Sequence, residues 1–403
     1  MQVSTCWKST RSRYVLPIVL AGMVYNPSAM AVQLSDTVQL HGFASQAYVS
    51  TTANKYFGPS DSSRGSFDFR ELGLNLSWQP LPYLQFAGQV GSRKAGTTDD
   101  ATPRIDYALI DFTPYSSQYS RAGVRAGRYR VPLGFYNQTR DVANTRPSIF
   151  LPESIYYDAA RQLILALDGG ELYSEVRTDA GSFFLEYGMG RVILDDETKE
   201  MARAKTSYVW RAMYEYDGGR IRLAVTGADA NVASFQPPFS DAKLNLHVYL
   251  FSAQYNAENW SLTGEYIPRL QTTLSGVVVP GVPGVYPDTS LPDIKQTGEA
   301  YYFQGTYRIA EDWEALLRYD VQYRDKNDKS GEANAAATGL PAHSFFTKDK
   351  TVGIGWSVRT DTKIRAEWHH LDGTSWLSAK ENPDPSATKE NWDMFALQVS
   401  YSF

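Results

Sequence analysis

Apolar and polar residues alternate with a period of two along most of the sequence from Val38 onward. The alternation comes in segments of about ten residues, which is the pattern of a β-strand with one apolar face. Convincing helical periodicity is almost absent. The alternating segments are 38–51, 67–78, 84–93, 105–113, 121–133, 163–176, 182–192, 207–217, 220–229, 244–256, 260–268, 299–309, 313–324, 350–358, 363–372 and 392–403. The pattern therefore predicts an all-β protein of about sixteen strands.

The links between these segments alternate in length. Every second link is short and holds Gly, Pro, Asn or Asp, as in Asp217-Gly218-Gly219, which are the residues that tight hairpin turns require. The other links are polar and roughly 11 to 30 residues long. Short turns on one rim and long loops on the other are typical of transmembrane β-barrels. We therefore expect an antiparallel up-and-down barrel with short periplasmic turns and long extracellular loops.

The two faces of the strands differ in chemistry. Leu72, Leu74, Leu76 and Trp78 share one face of the second segment. Charged residues are assigned to the opposite, inward faces; examples are Glu299 and Arg308, Arg318 and Asp320, and Lys363, Arg365 and Glu367. Because unpaired charge at the bilayer midplane costs a few kcal/mol, this division fits a wet lumen and a lipid exterior. Aromatic residues make up 13% of the chain, with 27 tyrosines, and many stand near strand ends, where they would form a girdle at the membrane interface.

The first residues have the features of a secretory signal peptide. Lys8, Arg11 and Arg13 precede an apolar stretch of about a dozen residues, too short for a membrane helix, and Ala29-Met30-Ala31 offers a cleavage site. We expect a signal peptide over 1–31 and a mature barrel over 32–403. Cleavage would remove Cys6, the single cysteine, and change the formal net charge from −5 to −5 − 3 = −8. An acidic chain argues against nucleic-acid binding, and we expect no cofactor and no metal.

The last segment alternates aromatic and apolar residues up to the terminal residue. Tyr401 and Phe403 close this strand, which must pair with the first strand because an open edge in hydrocarbon would leave backbone groups unpaired. A terminal phenylalanine after such a strand resembles the assembly signal of outer-membrane barrel proteins. The resemblance implies the barrel assembly machinery as a partner, besides outer-membrane lipid and lipopolysaccharide.

One stretch supports a family resemblance. The segment 127–137, Gly-Arg-Tyr-Arg-Val-Pro-Leu-Gly-Phe-Tyr-Asn, is similar to the basic fifth strand of phosphate-selective porins and related proteobacterial porins. Architecturally, the whole mature chain resembles the sixteen-stranded bacterial outer-membrane porins. This resemblance implies a homotrimer in the outer membrane of a Gram-negative bacterium, with both termini periplasmic, and a third external loop that folds inward.

By position, the inward-folded loop is the one near 134–162. Its charged residues are the candidates for a pore constriction: Arg140, Asp141, Arg146, Glu153, Asp158 and Arg161. Its apolar patch, Ile149-Phe150-Leu151-Pro152, would pack against the wall while the charges line the aperture. Alternatively, the loop is held by its own salt bridges and sets no selectivity.

Arg125, Arg128 and Arg130 lie on the strand that leads into this loop. Arginines in a lumen lower the electrostatic barrier for anions. Arg125 and Arg128 differ in parity, so both face the lumen only if a β-bulge near Ala126-Gly127 resets the register. The alternative is that these arginines brace the wall against acids such as Asp111 and Glu175.

A further loop, 271–294, contains an unusual apolar run rich in Pro and Gly at 277–287. It would pack within the extracellular cap, plug the vestibule, cover a neighbouring subunit or bind an apolar molecule; the sequence leaves these alternatives open.

These features favour an outer-membrane porin for passive diffusion of small hydrophilic solutes, and the arginines favour an anion preference. The alternatives are a structural or adhesin-type barrel without an open pore, a gated receptor and a barrel enzyme. Only residues 32–37 precede the barrel, too few for a plug domain. The five histidines form no recognisable catalytic motif, and the neighbours His369 and His370 must point to opposite faces of one strand. We therefore expect no enzymatic activity.

Overall fold

Sixteen long strands form one antiparallel sheet in the computed structural model, which describes residues 32–194, 196–234, 242–279, 289–290 and 292–403. Three short strands, Val32–Ser35, Asp99–Asp100 and Ala202–Ala204, add to this sheet. The signal-peptide prediction, 1–31, lies outside the described residues. The long strands, here β1 to β16, are Val38–Thr51, Ser66–Leu81, Leu84–Ala95, Arg104–Ser116, Ser120–Arg130, Ala166–Thr178, Gly181–Val192, Thr206–Tyr216, Ile221–Ser234, Lys243–Asn256, Trp260–Ser275, Ile294–Ala310, Trp313–Tyr323, Phe346–Ser357, Thr362–Gly373 and Asn391–Ser402.

The sheet closes on itself. Each strand pairs with the next one along the chain, and β16 returns to β1 with Phe43 opposite Ser402 and Thr51 opposite Met394. Closure pairs the backbone groups of both edge strands, as a barrel in hydrocarbon requires. The predicted sixteen-stranded antiparallel barrel is confirmed.

Short and long connections alternate around the barrel, as predicted. The short ones span two to four residues, from 82–83 to 358–361, and define what we call the turn rim. Asp217, Gly218 and Gly219 in one of these turns have φ of 49°, 64° and 90°. Tight hairpin turns require this left-handed region, which glycine adopts readily because it has no β-carbon. The opposite loop rim carries the long connections, of which the longest described without a gap are 131–165 and 324–345.

Several strands extend beyond the predicted segments toward the loop rim. β11 was expected to end at residue 268 but continues to Ser275. Its register with β12 shifts between Ile267 and Leu270. Pro268 lies at this shift, and because proline has no N–H it disrupts the ladder locally and hides the alternation. Conversely, β6 begins at Ala166 rather than at 163, since Arg161–Leu165 is a short helix.

The outward face is apolar. Leu74, Phe303 and Leu317 are 53%, 65% and 62% exposed, as expected for side chains that would contact lipid. Trp78, Tyr83, Tyr216, Trp260 and Trp313 are also exposed and border the turn rim. Glu299 was assigned to the lumen wrongly: it has the parity of Tyr301 and Phe303, lies on the outward face and accepts a hydrogen bond from Tyr266 Oη at 2.9 Å.

Helices are few and lie in the loops of the loop rim. The α-helices are Glu153–Tyr156, Arg161–Leu165, Asp196–Met201 and Glu332–Thr338, and the 3-10 helices are Asn137–Thr139, Ala143–Thr145, Asp158–Ala160, Ala342–Phe345 and Pro385–Ala387. None of the helices among the described residues is both long and apolar enough to cross a membrane.

Candidate functional site: a loop across the barrel lumen

The segment 131–165, between β5 and β6, lies inside the barrel and touches opposite parts of its wall. We call it the lumen loop. Its apolar residues contribute to two separate buried clusters. One cluster includes Ile149 and Phe150 and the other Leu151, Ile155 and Tyr156. The loop therefore spans the lumen rather than lining one side of it.

At one end, the loop packs against β1, β2, β15 and β16 together with the loops above them. The Phe150 ring stacks on Phe57 with centroids 5.2 Å apart and meets the edge of Phe69 at 5.0 Å. The backbone N–H of Ile149 donates to Glu367 Oε1 at 2.6 Å. Ile149 is 0% exposed.

At the other end, the loop is held by Glu265 of β11. Tyr156 Oη donates to Glu265 Oε2 at 2.6 Å, and the backbone N–H of Phe135 donates to Oε1 at 3.1 Å. Two wall residues complete the set, because Tyr302 Oη and Ser252 Oγ donate at 2.8 and 2.6 Å. One buried carboxylate thus joins the loop to three strands.

Arg146 ties the middle of the loop to β2. Its side chain is 5% exposed, and its guanidinium donates to both carboxylate oxygens of Glu71, at 3.1 and 2.5 Å. Two parallel charge-assisted hydrogen bonds fix orientation as well as distance. Arg365 of β15 donates to the carbonyl oxygen of Arg146 at 2.6 Å, which holds the same point from a second strand.

Asp141 lies between two predicted site residues, Arg130 and Arg161, and is in contact with both guanidinium groups. All three side chains are buried. Arg140 is buried as well, but it donates to the carbonyl oxygen of Tyr156 at 2.8 Å and lies 3.9 Å from Asp158. Asp141 and Arg140 thus connect the first half of the loop to Arg161 and Tyr156 in its second half.

Asp158 and Glu153 form the acidic part of the loop. Asp158 accepts from Arg93 of β3 at 2.8 and 3.3 Å, and Glu153 accepts from the backbone N–H of Asp158 at 2.8 Å. Burial, and then the negative charge of Asp158, raise the pKa of the Glu153 carboxyl to about 8. Arg93 also lies 3.5 Å from Glu71, so Asp158 and Arg146 belong to one connected network.

The arginines of β5 are divided between the two sides of the wall. Arg125 faces the lumen, where it pairs with Asp111 at 3.0 Å and Glu171 at 2.7 Å. Arg128 is on the outward face and pairs with Asp168 at 2.7 Å. The register of β5 with β6 is continuous from Ser120 to Arg130, so no bulge brings Arg128 inward. The placement of Arg128 in the constriction was therefore wrong.

The partners of the loop were the part of the site that sequence reasoning missed. They are inward-facing wall residues, of which Glu71, Arg93, Glu265, Arg318, Asp320 and Glu367 are buried. The sequence had placed Arg318, Asp320 and Glu367 on inward faces, but it had not identified the loop as their partner. The sequence did contain a signal for these wall residues, because charged residues that alternate with apolar ones mark the strand face toward the lumen. Which of them meet the loop depends on the path of 35 loop residues, 131–165, and that path has no periodic pattern to predict it.

Two histidines lie on β15, on opposite faces as their spacing predicts. His369 is buried beside Asp349 at 2.8 Å and Glu367 at 3.4 Å, whereas His370 is on the outward face with Asp393 at 2.9 Å. Among the residues that the structure describes, no group of three or more His, Cys, Asp or Glu side chains could hold a metal ion.

The space left around the loop is uneven. Between the loop and β2 to β4, two cavities measure about 20 and 10 Å³, room for a water molecule at most. Toward the turn rim, a polar cavity of about 190 Å³ is bordered by Arg308, Glu314 and Lys363. A larger cavity, of about 280 Å³, lies between the loop and the wall at the opposite side of the lumen.

Two other predicted sites lie at the edges of the barrel. The backbone of Phe403 exchanges two hydrogen bonds with Gly42, at 2.9 and 3.0 Å, so the last residue extends the β1 and β16 pairing. Most of the apolar run predicted at 277–287 lies outside the described residues. Its described flank, Val278–Val279, pairs with Thr289–Ser290 as a separate two-stranded ribbon.

No protein-family model matches the chain, and no curated protein is similar to it in sequence. Similar solved structures do exist. An anion-selective porin from Comamonas acidovorans is 14% identical with a TM-score of 0.56, over 91% of this chain and 99% of that one. The outer membrane channel DcaP of Acinetobacter baumannii is 14% identical, with a TM-score of 0.54 over 91% and 97%.

A third similar structure is OmpF of Salmonella typhi, 15% identical with a TM-score of 0.54, over 91% of this chain and 97% of that one. At these identities the likeness shows the fold alone. The predicted fold of the sixteen-stranded outer-membrane porins is confirmed.

Proposed function

We propose that the protein is a bacterial outer-membrane porin that lets small hydrophilic solutes diffuse through a lumen narrowed by the lumen loop. The observation that carries this proposal is the anchoring of one loop across the inside of a closed sixteen-stranded barrel. Ion pairs such as Arg146 with Glu71 hold it from several strands. A loop fixed in this way sets the size of the solute that passes.

The orientation and assembly follow from the same proposal. The outward apolar band would lie in the outer membrane, with lipid and lipopolysaccharide around it and the barrel assembly machinery as its insertion partner. The turn rim and both termini would be periplasmic, and the loop rim extracellular. A homotrimer is proposed from the resemblance to porins.

The anion preference remains a prediction, and the contacts argue against a ladder of free arginines. Arg125, Arg146 and Arg161 each contact a carboxylate in the lumen, which cancels most of their field. Selectivity would then depend on the polar cavity toward the turn rim, with Arg308 and Lys363 at its border.

A second candidate function is a structural or adhesin-type barrel without an open pore. The observation that favours it is the small free volume between the lumen loop and β2 to β4, about 20 and 10 Å³. Conductance distinguishes the porin from the structural barrel. A structural barrel carries no current as long as its lumen loop stays in place, whatever the voltage.

The test is single-channel recording of the purified full chain in planar bilayers, with Arg146→Gln and a matched control, Arg128→Gln. Both changes remove an arginine that pairs with a carboxylate, but only Arg146 holds the lumen loop. We expect stepwise conductance in the native protein, a larger step or a noisy open level in Arg146→Gln, and no change in Arg128→Gln. Silence in all three proteins would contradict a pore and favour the structural barrel.

Reversal potentials in a salt gradient measure the charge preference in the same recordings. A clear cation preference would contradict the anion preference and leave the pore itself in place.

A further inference from the structure

The cavity of about 280 Å³ beside the lumen loop has a composition unusual for a water-filled lumen. On the loop side it is bordered by Val131, Leu133 and Ile155, and on the wall side by Val209, Val248 and Leu270. Val209 is 1% exposed and belongs to a buried apolar cluster that continues along the wall. The cavity is therefore an apolar chamber inside the barrel, and not part of a polar water path.

One end of this chamber is polar. Gln322, Arg324 and Ser375 border it there, at the start of the loop that follows β13 and thus at the loop rim. Arg324 is exposed, so this end is within reach of a molecule that enters from the loop rim. Its Nη2 donates to the carbonyl oxygen of Ser375 at 2.9 Å.

Arg324 differs from the lumen arginines described above in its charge balance. Among the described residues, no carboxylate lies within ion-pair distance of its guanidinium, whereas Arg125, Arg146 and Arg161 each have at least one. The other charged residue along the chamber, Asp229, has the outward parity of Leu223, and its side chain hydrogen-bonds to His247 on the outer face of the wall at 2.7 Å. The side chains there thus offer one uncompensated positive charge.

The size of the chamber limits its occupant. At the liquid volume of roughly 30 Å³ per water molecule, 280 Å³ holds roughly nine waters, and so roughly nine non-hydrogen atoms of a ligand. An apolar body of that size gains from leaving water, and a guanidinium binds a carboxylate with two parallel hydrogen bonds. The chamber therefore suits a molecule with an apolar chain at one end and a carboxylate at the other.

We propose that this chamber binds an amphipathic monocarboxylate of about eight carbons, with its hydrocarbon chain between the lumen loop and the wall and its carboxylate on Arg324. The inference deepens the proposed porin function, since it rests on a lumen open to solutes and names a class of them. An aliphatic carboxylate would be captured at the loop rim before it passes.

The test is isothermal titration calorimetry of the purified full chain in detergent, with octanoate as the probe. Hexanoate tests the apolar end, and octan-1-ol tests the charge. Because each buried methylene favours binding about fourfold, octanoate is expected to bind about 15-fold more tightly than hexanoate. Octan-1-ol is expected to bind at least about tenfold more weakly than octanoate, since it cannot pair with a guanidinium.

Arg324→Gln is the decisive variant, and Arg64→Gln is its matched control. Arg64 is also exposed in a loop of the loop rim and also donates to a backbone carbonyl oxygen, that of Pro59 at 3.3 Å. We expect Arg324→Gln to weaken octanoate binding at least about tenfold and to leave octan-1-ol binding unchanged. Arg64→Gln should bind like the native protein. Equal octanoate affinity in Arg324→Gln and the native protein, or no dependence on chain length, would overturn the proposal.

Calorimetry tests the binding site and conductance tests the pore, so either proposal can be refuted without the other. A protein that conducts but does not bind octanoate refutes this site and leaves the pore. A protein that binds octanoate through Arg324 but stays silent in bilayers refutes the pore and leaves the site, now as a binding pocket of a closed barrel.

Discussion

Glu265 is a single carboxylate with four hydrogen-bond donors around it, two from the lumen loop and two from the wall. Glu265→Gln replaces one acceptor oxygen with an N–H donor, so at least one neighbouring donor loses its partner. A buried donor without a partner costs about 1 to 3 kcal/mol. We therefore expect the end of the lumen loop near Phe135 and Tyr156 to loosen, which hydrogen exchange of the loop amides would measure.

Glu314→Gln is the control for this change, because Glu314 also faces the lumen but borders the open cavity at the turn rim rather than the loop. In Glu314→Gln, the amides of the lumen loop should exchange as slowly as those of the native protein. Native exchange rates in Glu265→Gln would show that the loop is held without this carboxylate.

Phe150 anchors the other end of the loop by packing rather than by charge. It is 4% exposed and meets the rings of Phe57 and Phe69. Phe150→Ala removes this contact and leaves a cavity, which costs about 3 to 5 kcal/mol. We expect limited proteolysis to cut the lumen loop faster in this variant. Phe67→Ala, which removes a phenylalanine that is 65% exposed, should leave the cleavage rate unchanged.

Parity predicts the side of the wall that a strand residue faces where the register is continuous, except at a strand end: Arg130, the last residue of β5, has the parity of Arg128 but is buried against Asp141. This rule places Arg125 inside and Arg128 outside, and the continuous pairing of β5 with β6 agrees with it. A lumen position for both arginines required a bulge near Ala126-Gly127, and β5 has no such bulge in its pairing with β6. Asp111, expected from the sequence to brace these arginines, does pair with Arg125. The partner of Arg146 could not be predicted, because Glu71 lies on β2, far from the loop along the chain.

At the scale of one element, we expect the stability of the short helix Glu153–Tyr156 in the lumen loop to depend on pH. The raised pKa of Glu153, about 8, lies above the ordinary glutamate value of about 4.3. The folded loop therefore favours the neutral acid, and the free energy of unfolding of the loop falls as pH rises from about 4.5 to about 8. Above pH 8 the ionised Glu153 repels Asp158. We expect faster loop fluctuation at pH 9 than at pH 6, measured as current noise in single-channel recordings.

Glu153→Gln removes the titrating group and keeps a side chain of similar size. Its current noise should be the same at pH 6 and pH 9. If the variant keeps the pH dependence of the native protein, the responsible group is not Glu153.

The strands were predictable as elements because half of each one faces outward, where alternation is enforced. Their ends were less so. β12 begins at Ile294, five residues before the predicted start, and β11 extends past its bulge at Pro268. Toward the loop rim, side chains on both faces are partly polar, so the period of two weakens although the backbone pairing continues.

At the scale of the whole molecule, the barrel has an apolar outer band and a lumen that is polar in some sectors and apolar in others. The sequence predicted the outer band, because a lipid exterior demands it on every strand. The apolar sectors of the lumen were not predicted, since inward residues such as Val209 and Val248 are covered by the lumen loop and not by water. A strand that is apolar on both faces therefore marks a wall that something inside the barrel covers.

The division between outer band and lumen gives a prediction for the whole fold. Leu74→Arg places a charge on the outward face of β2, where Leu74 is 53% exposed, and an arginine at the bilayer midplane costs about 2 to 4 kcal/mol. Asn75→Arg places the same charge one residue along the strand on the lumen side, where Asn75 is partly exposed. We expect Leu74→Arg to lower the yield of folded barrel in lipid vesicles several-fold, measured by protection from protease, and Asn75→Arg to fold like the native chain. Since the two variants gain the same residue and share net charge, equal yields would show that this face of β2 does not meet lipid, and the position of the apolar band around the barrel would have to be revised.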